Sequence, residues 1–266
     1  MSRERGPAIS SAERPGAAAP RLLCLHALGG SSRSFDLLAA ALAPDVRLLA
    51  LDLPGFGADD EPAAGCAAMV RSVAKRIAGL GAADGPLVLL GHSMGGKVVT
   101  LLASGAVVTP PAGLAGVVLV AASPVVPEPM DEQRRRRMVG WADEGPLARS
   151  AADEFLAANT HRALSVAVHD AAVRDLRRAD PVAWRRWLLS GSREDWSARV
   201  RQLDVPALVV AGAEDGDLGP AAQRDLHENV ATHTELLEIA GAAHLVPLEQ
   251  PVALAAAVSA AVARWT

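Results

Sequence analysis

The sequence predicts an α/β fold in which a mostly parallel sheet is flanked by helices, and three observations predict it. From Arg21 onward, short apolar runs alternate with longer amphipathic stretches, as successive βαβ units require. Ser93 sits between glycines where an apolar run gives way to a helical pattern. The alternation breaks once, from Pro124 to about Arg201, where no strand pattern occurs. A chain of 266 residues suits one large core carrying an insertion better than two small domains.

Residues 1–20 are rich in Arg, Ala, Pro, Ser and Gly and lack the apolar stretch of about 7–15 residues that a signal peptide needs. They read as an N-terminal tail or a pair of short irregular strands. The strands expected after them are Leu22–His26, Val46–Leu51, Leu87–Leu90, Val117–Ala121, Ala207–Ala211 and Thr234–Ile239. Helical character falls between them at Ser34–Leu42, Met69–Leu80, Lys97–Ser104, Gln223–Asn229 and Val252–Arg264, several beginning near Ser or Pro caps. From Pro124 to Arg201, Arg, Asp, Glu, Trp and Ala recur at helical spacing, interrupted at Gly145-Pro146, Asp180-Pro181 and Gly191. A helical insertion over 125–200 follows, dividing a core made of 21–124 and 201–266.

Half the residues are hydrophobic, yet runs such as Val117–Ala122 and Pro206–Ala211 fall far short of the roughly 20 residues that span a bilayer. A soluble protein without a membrane span is expected. Cys24 and Cys66 are the only cysteines, and their spacing suggests neither a disulfide framework nor a metal site, which fits reduced thiols in a cytoplasmic protein. The net charge of −4 offers no basic footprint for nucleic acid. No cluster of His, Cys and carboxylates has ligand spacing, so no metal or organic cofactor is implied.

Chemistry concentrates at Gly91-His92-Ser93-Met94-Gly95. A serine on a sharp strand-to-helix turn exposes its Oγ and points a helix N-terminus at it, and the glycines are needed because neighbouring backbone comes too close for side chains. Such a nucleophile needs a base to take its proton and a carboxylate to hold that base in the right tautomer. His244 is the expected base: it follows the last strand in Gly241-Ala242-Ala243-His244, from which a loop can reach Ser93. His161 and His169 lie in the insertion, His227 and His233 flank a peripheral helix, and His92 reads as packing. Asp215, directly after Ala207–Ala211, is the expected acid, with Glu214 and Asp217 in competition and capping of a helix near Pro220 as the alternative role.

On these residues the chain resembles the α/β-hydrolase fold superfamily, with nucleophile, acid and histidine in the order Ser93, Asp215, His244. The resemblance covers about 21–124 and 201–266. His26-Ala27-Leu28-Gly29-Gly30 resembles the His-Gly oxyanion loop, with Ala27 at a position where glycine is usual, and the likeness implies the backbone amides of Leu28 and Met94 as oxyanion donors. Two such amides are expected to lower the barrier by about 3 kcal/mol each. Asp52-Leu53-Pro54-Gly55-Phe56-Gly57 reads as a structural turn. The resemblance further implies a twisted sheet of about six to eight strands and a helical cap inserted after the sixth.

Trp141, Phe155, Trp184, Trp187 and Trp196 all fall in the insertion, although the whole chain has five Trp, three Phe and no Tyr. His26, Trp141, Phe155, Trp184 and Trp187 are therefore candidates to line a pocket for an apolar acyl or alkyl group, the alternative being that the tryptophans build the insertion's own core. Arg134-Arg135-Arg136-Arg137, flanked by Asp131, Glu132, Asp143 and Glu144, reads as a solvated helix face, and Lys97 as structural.

The expected activity is that of a serine hydrolase of carboxylesterase type, acting through an acyl-enzyme on a small-molecule ester. Lactone, thioester or carbon–carbon bond hydrolysis and cofactor-free perhydrolysis use the same triad and stay open. Dehalogenases and epoxide hydrolases of this fold use an aspartate nucleophile, whereas position 93 is serine. A non-catalytic ligand receptor is the competing class, disfavoured because all three triad positions are filled.

Overall fold

The computed structural model describes residues 10–11, 19–62, 65–79 and 85–266. Seven strands, β1 (Ser10–Ser11), β2 (Arg21–Leu25), β3 (Arg47–Leu51), β4 (Leu87–His92), β5 (Leu114–Val120), β6 (Ala207–Gly212) and β7 (Thr234–Ile239), form one sheet in the order β1-β3-β2-β4-β5-β6-β7. β2 to β7 are mutually parallel, and β1 pairs antiparallel with β3 at Leu49 and Ala50. The remainder of the expected N-terminal tail lies outside the described residues. Every residue of β2, β4 and β6 is buried, because a parallel sheet is covered on both faces and its strands read as continuous apolar runs. Edge strand β7 instead alternates over its first four residues and is largely exposed.

The helices are α1 (Asp36–Ala41), α2 (Cys66–Gly79), α3 (Met94–Ala103), α4 (Glu132–Gly140), α5 (Arg149–Asn159), α6 (Val166–Arg178), α7 (Pro181–Leu189), α8 (Pro220–His227), α9 (Val246–Glu249) and α10 (Pro251–Trp265). Strand residues split by parity. Leu23, Leu25 and Leu89 join one core with α2, α3 and the insertion, while Leu22, Cys24, Val88 and Leu90 join a second core with α1 and α10. α3 begins at Met94, three residues before the expected Lys97, and all ten of its residues are buried. A helix buried all round has no polar face, so periodicity could not locate its start.

The four helices α4 to α7 lie between β5 and β6, so the insertion follows the fifth strand rather than the expected sixth. Among the described residues only the two-residue β1 precedes Arg21, which accounts for the difference of one. The interruptions read in the sequence are helix boundaries: Asp180 accepts from the Val182 amide with Pro181 in the first turn of α7, and Asp131 likewise caps α4 through the Arg134 amide. Among the described residues no helix is long and apolar enough to cross a membrane. The loops leaving β2, β4, β6 and β7 emerge together at the carboxyl ends of the parallel strands, where such sheets hold their ligands.

Candidate active site

Ser93 joins β4 to α3 with φ 51° and ψ −116°, a backbone conformation that few non-glycine residues adopt. The surrounding glycines make the turn sterically possible. A Cβ on Gly91 would overlap the Gly95 carbonyl, one on Gly95 the Leu25 carbonyl, and one on Gly96 the Ala122 methyl group. The turn is stitched to the end of β5, since the Ser93 amide donates to Val120 O at 3.0 Å and the Ser123 amide donates to Ser93 O at 3.0 Å.

Three side chains from three strand ends meet there. The Ser93 hydroxyl donates to His244 Nε2 at 2.9 Å, and His244 Nδ1–H donates to Asp215 Oδ2 at 2.8 Å. Asp215 Oδ1 accepts from the amides of Asp217 and Leu218 at 3.1 and 3.2 Å, which orients the carboxylate. The Asp215 side chain is 5 % exposed and that of His244 14 %. Burial is the largest influence on each and opposes charge, yet their mutual hydrogen bond and attraction outweigh it. His244 is held above the ordinary imidazole value, and Asp215 below the ordinary carboxylate value.

The competing acids face elsewhere. Glu214 accepts from the Gly241 amide at 3.0 Å and the Ala242 amide at 3.1 Å, bracing the loop that carries His244, and Asp217 pairs with Arg134. His92 Nε2–H donates to the His244 carbonyl at 2.8 Å, so the histidine inside the motif braces the same loop from the other side. Burial, the largest cause, lowers His92 to about 3, leaving it neutral. Sequence reasoning missed Gly212, where a Cβ would overlap the Ala243 carbonyl, and Asn159, whose carbonyl accepts from the Leu245 amide at 3.1 Å and ties α5 to the histidine loop.

The Ser93 cavity is walled by the core residues Leu28 and Leu218 and by Met138, Phe155 and Trp187 of the insertion. A second, more apolar cavity adjoins it, sharing Ala27, Leu28 and Phe155 and extending to Leu156, Leu176 and Leu248. Met94 opens α3, so its amide is one of the first-turn N–H groups with no partner inside the helix.

A family model described as the alpha/beta hydrolase family matches residues 22–257. The chain belongs to this family. It is 27 % identical over 251 residues to a Bacillus subtilis (strain 168) protein named as a 2-succinyl-6-hydroxy-2,4-cyclohexadiene-1-carboxylate synthase, a match covering 88 % of this chain and 87 % of that one. Among solved structures, a thermophilic esterase from Thermogutta terrifontis aligns with TM-score 0.78 at 24 % identity, covering 97 % of this chain and 94 % of that one. An esterase from Exiguobacterium antarcticum aligns with TM-score 0.81 at 16 % identity, covering 96 % and 94 % respectively. These two likenesses are of fold.

Within this alpha/beta hydrolase, Phe155 and Trp187 line the cavities, whereas three other expected pocket residues do not. Trp184 is fully buried between the insertion and the Gly29 turn, its Nε1–H donating to Met138 O at 2.7 Å and its ring edge-on to Phe155 at 5.5 Å. Trp141 packs beside Trp184 at 6.4 Å. His26 turns inward: its Nδ1–H donates to Ala27 O at 2.8 Å, while Nε2 accepts from the Leu53 amide at 3.0 Å. The imidazole thereby fixes the Ala27-Leu28 loop to the turn at Leu53 instead of facing substrate. Asp52 adds to this, accepting from the amides of Ser32 and Ala58.

The arginine run is a solvated face only in part: Arg136 and Arg137 are exposed, whereas Arg134 and Arg135 turn inward. Arg135 is buried and donates to Leu188 O at 2.8 Å and Ser192 Oγ at 2.5 Å, and Arg134 lines the Ser93 cavity, donating to Asn159 Oδ1 at 3.1 Å. The Leu188 carbonyl at the end of α7, the Ser192 hydroxyl just beyond it and the Glu132 carboxylate at 3.2 Å supply the acceptors that make burial of Arg135 tolerable.

Proposed function

We propose that the chain is a serine hydrolase of carboxylic esters bearing an apolar acyl or alkyl group. The observation that carries the reading is the continuous hydrogen-bond chain from Ser93 through His244 to Asp215, anchored at a positive-φ serine. In this reading Ser93 Oγ attacks the ester carbonyl as His244 Nε2 takes its proton. Asp215 holds Nδ1–H and stabilises the imidazolium that forms. The amides of Leu28 and Met94 receive the oxyanion, and His244 then returns the proton to the leaving alcohol. Water, activated by the same histidine, releases the acid from the acyl-enzyme.

The helical insertion acts as a cap, with Phe155 and Trp187 over the serine and the adjoining cavity around Leu156, Leu176 and Leu248 holding the apolar group. The test is a panel of p-nitrophenyl esters from acetate to laurate, with lactones and thioesters alongside. Ester hydrolysis is expected to lead, and its absence from a folded protein contradicts the reading. Leu248→Phe fills the adjoining cavity. Room lost for two methylenes costs about 1.6 kcal/mol, so preference is expected to move toward shorter acyl chains by about tenfold. An unchanged profile would place the apolar group elsewhere.

A second reading, a synthase forming a carboxylate product as in the name of the Bacillus subtilis relative, is favoured by Arg134 on the cavity wall. Asp217 and Asn159 already engage that guanidinium, which supports the ester reading over it.

A further inference from the structure

Lys97 lies one helical turn beyond Ser93 and is 0 % exposed. A buried ammonium is costly unless all three of its protons find acceptors. Lys97 Nζ donates to Glu194 O at 2.7 Å, Gly191 O at 3.1 Å and Val126 O at 3.3 Å. These three carbonyls belong to the two segments that connect the insertion to the core. Val126 stands just after β5, where the chain enters the insertion, and Gly191 and Glu194 stand after α7, where it returns toward β6.

The two connections also bond to each other, the Glu128 amide donating to Ser192 O and the Trp196 amide to Val125 O, each at 2.8 Å. Cys66 of α2 touches the return segment, its amide donating to Glu194 Oε1 at 3.4 Å. Packing alone does not require a cation here. An unbranched apolar side chain of similar length would fill the space without desolvating a charge. What a neutral side chain cannot do is gather three carbonyls from two segments.

We propose that Lys97 is a positioning residue, whose buried ammonium fastens both connections of the insertion to the helix carrying the nucleophile and so sets how the cap sits over Ser93. Its substrate readout rests on the ester-hydrolase reading above. Ser93, His244 and Asp215 all belong to the core, whereas Met138, Phe155 and Trp187 belong to the insertion. Loosening the connections therefore leaves the triad assembled and disturbs the wall that grips a long acyl chain.

Lys97→Met is expected to keep kcat for p-nitrophenyl acetate within about threefold and to raise KM for the laurate ester about tenfold or more, the signature of lost substrate binding. Amide hydrogen exchange in 125–128 and 190–196 is expected to quicken relative to wild type, while that of β4 is unchanged. A parallel measurement needs no variant. Burial holds Lys97 below its ordinary value of 10.5 against the opposing pull of Cys66 on α2 and of Glu128, Glu194 and Asp195 on the connections. Raising the pH through its titration in the wild type is thus expected to raise the laurate-to-acetate KM ratio, a rise that Lys97→Met lacks.

A KM ratio and exchange pattern unmoved in Lys97→Met, or a flat alkaline KM ratio in the wild type should the variant fail to fold, would overturn the proposal. If wild type hydrolyses no ester, the functional reading fails by itself. The exchange comparison then still tests Lys97.

Discussion

Replacing Asp215 by Asn is expected to lower kcat for ester hydrolysis about 10⁴-fold while the fold is retained. The backbone contacts of Asp215 survive, because the carboxamide oxygen can still accept from the amides of Asp217 and Leu218. What changes is the group facing His244 Nδ1, 2.8 Å away. An NH₂ there donates, forcing Nδ1 to accept and placing the ring proton on Nε2, where it faces Ser93 and blocks proton removal. The pH profile should move as well. The base must be neutral, so wild-type kcat/KM falls as pH drops through the His244 value, which Asp215 holds above the ordinary 6.5. Without the carboxylate, burial outweighs the weaker pull of Glu128 and disfavours the imidazolium, so the residual activity of Asp215→Asn should show its acid limb at lower pH. Steady-state rates across pH on both proteins check both parts, and a near-normal rate would transfer the role to Glu214 or Asp217.

Trp184→Ala is expected to destabilise the protein by about 3–5 kcal/mol. The indole is fully buried among Trp141, Phe155 and the Gly29 turn, and its loss both opens a cavity and strands the Met138 carbonyl. Because Trp184 packs behind Phe155 and the Gly29 turn, chain-length preference should blur as well. Urea unfolding against the exposed-site control Leu189→Ala, expected within about 0.5 kcal/mol of wild type, separates a core role from a general sensitivity of α7.

Much of the architecture was legible because a parallel sheet writes itself locally. Thr234–Ile239 was bounded to the residue, and the other five strands expected after Arg21 differ by at most three residues at either end. The start of α3 was not legible, since an entirely buried helix shows no amphipathic period. Ser93, His244 and Asp215 could be read because each sits at a strand end with a turn signal. The choice among Glu214, Asp215 and Asp217 could not be read with the same force, as neighbouring residues on a turn diverge by backbone geometry alone. Glu214 bends back to Gly241, and Asp217 reaches out to Arg134.

Trp184 and Trp187 show the same limit. Three residues apart on α7, they occupy one face of the helix, yet one is closed off between the insertion and the Gly29 turn and the other meets the serine cavity. Lys97 and Arg135 lie further beyond sequence reasoning, because charged residues ordinarily mark a surface. Their burial depends on carbonyls supplied by segments 29 to 97 positions away for Lys97, and 53 away for the Leu188 carbonyl that Arg135 reaches.

Covalent labelling with a fluorophosphonate probe tests the nucleophile most directly, with the modified peptide identified by mass spectrometry. Wild type is expected to carry a single adduct on Ser93, and Ser93→Ala none. A folded wild type that stays unlabelled, or a Ser93→Ala protein labelled as fast as wild type, would contradict the assignment of Ser93 as nucleophile.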